Sequence, residues 1–156
     1  MATKRRHFIG TGVVVVAVFL VGGGLAWRSW EQQGAGARET LAQAYADVQP
    51  AHLGTVVYDA SRGSGRFSDD LPTRSVGVVV STVDADAVRS KVEASLRAEG
   101  FRPFPGSSLT WERRDHGHLA KIDLSYVSSG ERIAGPASRA VPTGSTGVLV
   151  RFLGAG

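Results

Sequence analysis

The chain has 156 residues, 42% of them hydrophobic, no cysteine and a formal net charge of +4. Without cysteine there are no disulfides, no thiolate catalysis, no Cys-ligated zinc or iron–sulfur centre and no lipoprotein-type leader. Three of the net positive charges sit on Lys4, Arg5 and Arg6, and all 14 acidic residues follow Trp27, so the pI near 10 reflects the N-terminal tip and does not indicate a nucleic-acid partner.

Residues 1–7 form a basic tip, and 8–27 are twenty uncharged residues running from Phe8 to Trp27. At 1.5 Å rise per residue such a stretch makes about 30 Å of helix, the thickness of a bilayer's hydrocarbon core. One reading is a permanent single-pass transmembrane helix. The positive tip then keeps the N-terminus in the cytoplasm and places the remainder outside, with Trp27 and Trp30 at the far interface. The other reading is an export signal. Arg5-Arg6-His7-Phe8-Ile9 resembles the twin-arginine translocation motif, with Lys4 standing where that motif usually has Ser or Thr. Gly24-Leu25-Ala26 and Ala35-Gly36-Ala37 are its candidate cleavage sites. Lysine occurs only at positions 4, 91 and 121, isoleucine only at 9, 122 and 133, and asparagine is missing. That joint depletion of AT-rich codons points to a high-GC bacterial genome.

Residues 28–52 are a polar linker and a juxtamembrane helix. In it, Leu41, Ala44, Tyr45 and Val48 share one face and Pro50 is the stop. That face serves either the chain's own domain or a weak homo-oligomer through 37–48. Residues 53–153 are the expected extracytoplasmic domain. Gly54 to Ala60 is a strand, followed by a polar loop from Ser61 to Pro72 in which Arg62 and Arg66 could hold an anionic surface ligand. From Ser75, Val76, Val78 and Val80 alternate with Gly77 and Val79, a strand buried on both faces. Asp84 caps a helix whose stripe is Ala85, Val88, Val92 and Leu96. Gly100 ends it, and Phe101 folds back onto Leu96.

Pro103 and Pro105 keep the next stretch extended or edge-like. Leu109 and Trp111, then Ile122, Leu124 and Tyr126, define two alternating strands joined through Asp115-His116-Gly117-His118, with Trp111 against Ile122 or Leu124. Residues 128–146 are a long Gly/Pro/Ser/Arg stretch, a mobile or a binding loop, before a closing strand of Val148, Val150 and Phe152.

Chemistry is sparse. His116 and His118, with Asp115 or Asp123, are too few fixed ligands for a metal site, and the expectation is exposed hairpin histidines. Asp69-Asp70 sit in a polar loop, and Asp84 with Asp86 begins a helix. Ser145, in Gly-Ser-Thr-Gly, lacks nucleophile-elbow spacing, and Gly63-Ser64-Gly65 lacks a third glycine and a following helix. No catalytic, cofactor-binding or metal residue is assigned, and no cofactor.

These readings combine into an α+β chain. An N-terminal transmembrane helix or export signal precedes a small two-layer domain, a mainly antiparallel sheet with one main helix on one face. The functional expectation is a non-enzymatic, single-pass bacterial membrane protein presenting an interaction domain to an extracytoplasmic partner, with no nucleic-acid role. The alternative is a soluble protein exported by the twin-arginine route, a ligand binder or an atypical enzyme.

Overall fold

The computed structural model describes residues 35–63, 71–115, 117–135 and 138–155. The tip 1–7, the apolar segment 8–27, most of the linker, His116, and Arg66 with Asp69-Asp70 lie outside these residues. Residues Gly36–Gly156 form one compact unit, separate from Met1–Ala35. Among the described residues no helix is long and apolar enough to cross a membrane.

The fold is α+β: one six-stranded antiparallel sheet with two helices. In chain order these are helix α1 (35–48), β1 (Thr55–Arg62), β2 (Thr73–Val80), helix α2 (Ala85–Ala98), β3 (Arg102–Pro103), β4 (Thr110–Asp115), β5 (His118–Val127) and β6 (Thr146–Ala155), with a 3-10 turn at Pro50–His52. Across the sheet the order is β1-β2-β6-β5-β4-β3. The C-terminal strand is thus inserted between β2 and β5, while α2 carries the chain from β2 to the far edge.

The main core lies on one face of the sheet. Val76, Val78, Ile122, Leu124, Val148, Val150 and Phe152 alternate inward there, and Val88, Val92 and Leu96 of α2 cover them. Ala44 and Val48 of α1 join the same core, with Leu41 and Tyr45 against it, so the stripe of the first helix packs on the chain's own sheet. Two helices therefore share the face for which one main helix was expected. The strand from Ser75 is buried on both faces as read, with Val76 through Val79 all buried.

Helix α2 follows its local signals closely. The Asp84 carboxylate accepts from the backbone N–H groups of Asp86 and Ala87, satisfying two donors of the first turn. At the other end Gly100 takes φ +80°, its N–H reaches the Arg97 carbonyl and the Phe101 N–H reaches Leu96 at 3.0 Å. This is the Schellman pattern, and it seats Phe101 in the core beside Leu96. The stripe is shorter than expected: Ala85 is exposed, because the first turn overhangs the sheet before the helix settles on it at Val88.

Trp111 pairs with Ile122 across β4 and β5, and Asp115 faces His118 at the hairpin end. Leu109, expected within the strand, is exposed just before it. Both sheet edges are blunted. β3 is two residues long, and β1 carries a bulge between Val56 and Tyr58 together with the inward carboxylate of Asp59. The bulge places Val57 against the second face of the sheet without turning Asp59 away from the first.

Candidate functional site

On the helix-covered face the two sheet arginines, Arg74 and Arg113, each have a carboxylate. Arg74 of β2 grips Asp59 of β1 through Nε at 2.9 Å and Nη2 at 2.7 Å, and its guanidinium stacks on the Tyr45 ring of α1 at 3.5 Å. The Tyr45 hydroxyl also donates to Asp59. Hydrogen bonding from Arg74 holds the Asp59 carboxyl below its ordinary value despite partial burial. Arg113 of β4 donates to Asp115, to Asp47 of α1 and to the Glu99 carbonyl at the end of α2, over the Phe101 ring. Burial works against its charge, and the bonds to Asp47 and Asp115 outweigh it, holding the guanidinium above its ordinary pKa. On α2, Arg89 and Arg97 both reach Glu93. Arg74 and Arg113 fasten α1 and the end of α2 to the sheet, whereas the Glu93 pairs lie within α2 and are partly exposed.

The second face is divided. One half is covered by residues 128–135 and 138–145, which are held together through the Arg132–Ala140 bridge and hydrogen bonds between Gly130, Glu131 and Val141. Ser138, buried, accepts from the Ala134 N–H. Ile133 and Val141 anchor the cover against Val79, Val57, Val127 and Leu149. It can lie this close because Gly77 and Gly147 have no side chain there: a Cβ on Gly147 would fall 2.6 Å from Val141, and one on Gly77 2.9 Å from Ile133. The loop expected to be mobile or binding is a packed second layer, because two apolar residues suffice to pin it over two glycines.

The other half of this face is open. Register puts Arg62, Thr73, Leu153, Lys121, Glu112 and Arg102 along one line across all six strands. The adjacent lines bring Arg151 beside Asp123 and Arg114 beside Leu119. Arg62, Arg102, Arg114 and Arg151 are exposed and Lys121 is half-buried, resting on the Phe104 ring at 4.9 Å. Among the described residues no ion pair joins any of these five cations, and of the two carboxylates here Asp123 accepts the Thr110 hydroxyl. The surface can bind anions through several guanidinium forks at once, with apolar stems between them.

Of the residues singled out in the sequence, Arg62 and Asp123 lie on this surface. His118 is half-buried, not exposed: its ring lies against the first turn of α1 at Gly36, and its Nδ1 is buried without a hydrogen-bond partner, as are Trp111 Nε1 and the Tyr126 hydroxyl. Burial of Tyr126 pushes its hydroxyl pKa up. Asp84 and Asp86 serve the α2 N-terminus, and Ser145 is a buried turn residue. No group of three or more metal-binding side chains gathers among the described residues. Lys121, Arg114 and Arg151 were not singled out. Each occupies the outward slot of an alternating strand, and that periodicity was the available signal.

Comparison of the chain with protein-family models, with curated proteins and with solved structures found no match.

Proposed function

We propose that this protein is a non-enzymatic bacterial envelope component that works by contact. It is held by the 8–27 segment with its N-terminus in the cytoplasm and its α+β domain outside. The observation that carries the contact reading is the open half-face, whose five cations make no ion pair among the described residues. Such a surface offers charge without a nucleophile or an acid–base pair, which suits recognition. The anchor reading rests on twenty uncharged residues after a basic tip.

Arg5-Arg6-His7-Phe8-Ile9 supports a second reading, a soluble binding protein exported by the twin-arginine route. Of its two cleavage sites, the one after Ala37 would remove the first turn of α1, where Ala37 is buried and its carbonyl lies against Gly154. Fractionation of cells with N-terminal sequencing of the mature chain separates the readings. Retention in carbonate-washed membranes with residues 8–27 intact is expected. A released species beginning at Trp27 or Arg38 overturns the anchor and leaves the exported binder.

A further inference from the structure

We infer that the open half of the sheet's second face docks on the anionic lipid surface of the bilayer that holds the chain's own leader. The inference rests on the anchored reading above and names the partner.

Three observations converge on it. The first is charge: among the described residues Arg62, Arg102, Arg114, Lys121 and Arg151 share the face with Glu112 and Asp123 alone as carboxylates, whereas Arg74 and Arg113, the sheet arginines of the opposite face, are each paired. Cations spread over the sheet match a field of phosphate headgroups better than one discrete anion, because each of the five stands on a different strand. The second is composition at one end of this face. Leu119 and Leu153 lie beside Lys121 and Arg114, and the exposed Leu71 and Phe104 flank them. Apolar side chains between cations suit the headgroup–acyl boundary, where rings and leucines enter and cationic heads stay at phosphate level.

The third is where the chain comes from. The first turn of α1 sits at that same end of the sheet, with Gly36 against His118 at the start of β5 and Ala37 against Gly154 near the end of β6. Residues 28–34 separate the apolar segment from α1, a reach of at most about 25 Å. A bilayer holding 8–27 is therefore the nearest extended anionic surface available to these cations, and tethering raises its effective concentration.

The test uses the full chain in lipid nanodiscs. Since it has no cysteine, a single Ser125→Cys, exposed on the second face two residues from Asp123 at the border of the cover, or Ser90→Cys on the solvent side of α2 takes a fluorophore uniquely. Quenching by headgroup-spin-labelled lipid reads proximity to the bilayer. Discs with about 30% phosphatidylglycerol are expected to quench position 125 far more than neutral discs do, and position 90 little in either. High salt reverses the difference. Each of Arg114→Gln, Lys121→Gln and Arg151→Gln weakens docking roughly fivefold, with Lys121→Arg retaining it and circular dichroism unchanged throughout. Equal quenching at positions 125 and 90, or no dependence on anionic lipid, overturns docking. Release of the signal by a short DNA duplex, or a signal that depends on protein rather than lipid density, also overturns it in favour of nucleic acid or a second copy. Loss of the chain from discs at high salt instead refutes the anchor, a separate outcome from a silent probe on a retained chain.

Discussion

The two faces of the sheet handle charge and apolar surface in opposite ways. Under the helices, Arg74 and Arg113 are each fixed by carboxylates from other elements, and sixteen buried residues form a continuous core. On the second face the buried apolar set is Val79, Ile133 and Val141, and among the described residues no ion pair joins the cations beyond it. The lesson is that the same residue type serves as a rivet where a second layer approaches and as a free ligand where none does. Guanidinium groups under α1 and α2 lose water and must be paired, whereas those of Arg114 and Arg151 keep their hydration.

Substitutions can break this comparison, and the largest effect is expected in the main core. Phe152→Ala removes a fully buried ring that meets Tyr45 edge-on, and should cost about 3–5 kcal/mol in urea unfolding. Ile133→Ala should cost about 2 kcal/mol, the low end for such a deletion, because its cluster is small and one-sided. It should also raise hydrogen exchange selectively at 128–145. Arg113→Ala leaves Asp47 and Asp115 without their partner and should cost about 2 kcal/mol, less than the loss from a fully buried pair. Arg151→Ala on the open face should stay within about 0.5 kcal/mol of the parent. If the two arginines prove equal, the distinction between faces fails.

Smaller effects sharpen the picture. Tyr126→Phe removes a buried hydroxyl without a partner and should gain about 1 kcal/mol. The acid limb of stability reports Asp59, whose carboxyl is held below its ordinary 3.8 by Arg74. With a lower pKa folded than unfolded, its contribution is complete above the ordinary value and fades as pH falls through the folded one. Asp59→Asn should flatten the stability profile below about pH 4 by less than about 1 kcal/mol, as fits a partly exposed pair. An unchanged profile would assign the acid limb elsewhere.

Local physics made part of this fold readable in advance. The α2 unit was legible down to its cap and stop, since Asp84, Gly100 and Phe101 act on neighbours a few residues away. The packing of Trp111 on β5 was legible as Ile122 or Leu124, and the register from Asp115 opposite His118 selects Ile122. The cover over the second face was hidden. Ile133 and Val141 are isolated apolar residues in a Gly/Pro/Ser stretch, and only their fit over Gly77 and Gly147 gives them meaning. His118 looked like a hairpin-tip residue and turned out to lie against α1, a contact between residues some eighty positions apart.

By itself the amino-acid order determined the cysteine-free chemistry, the inward and outward slots of the alternating strands and the capped helix, because all follow from composition or short-range periodicity. It did not determine that the last strand would occupy the middle of the sheet, or that Arg62, Arg102, Arg114, Lys121 and Arg151 would share one open surface. Those depend on which strands pair across long stretches of chain. A cation in an outward slot becomes part of a surface only when the strands beside it are known, and inter-strand pairing belongs to the tertiary structure.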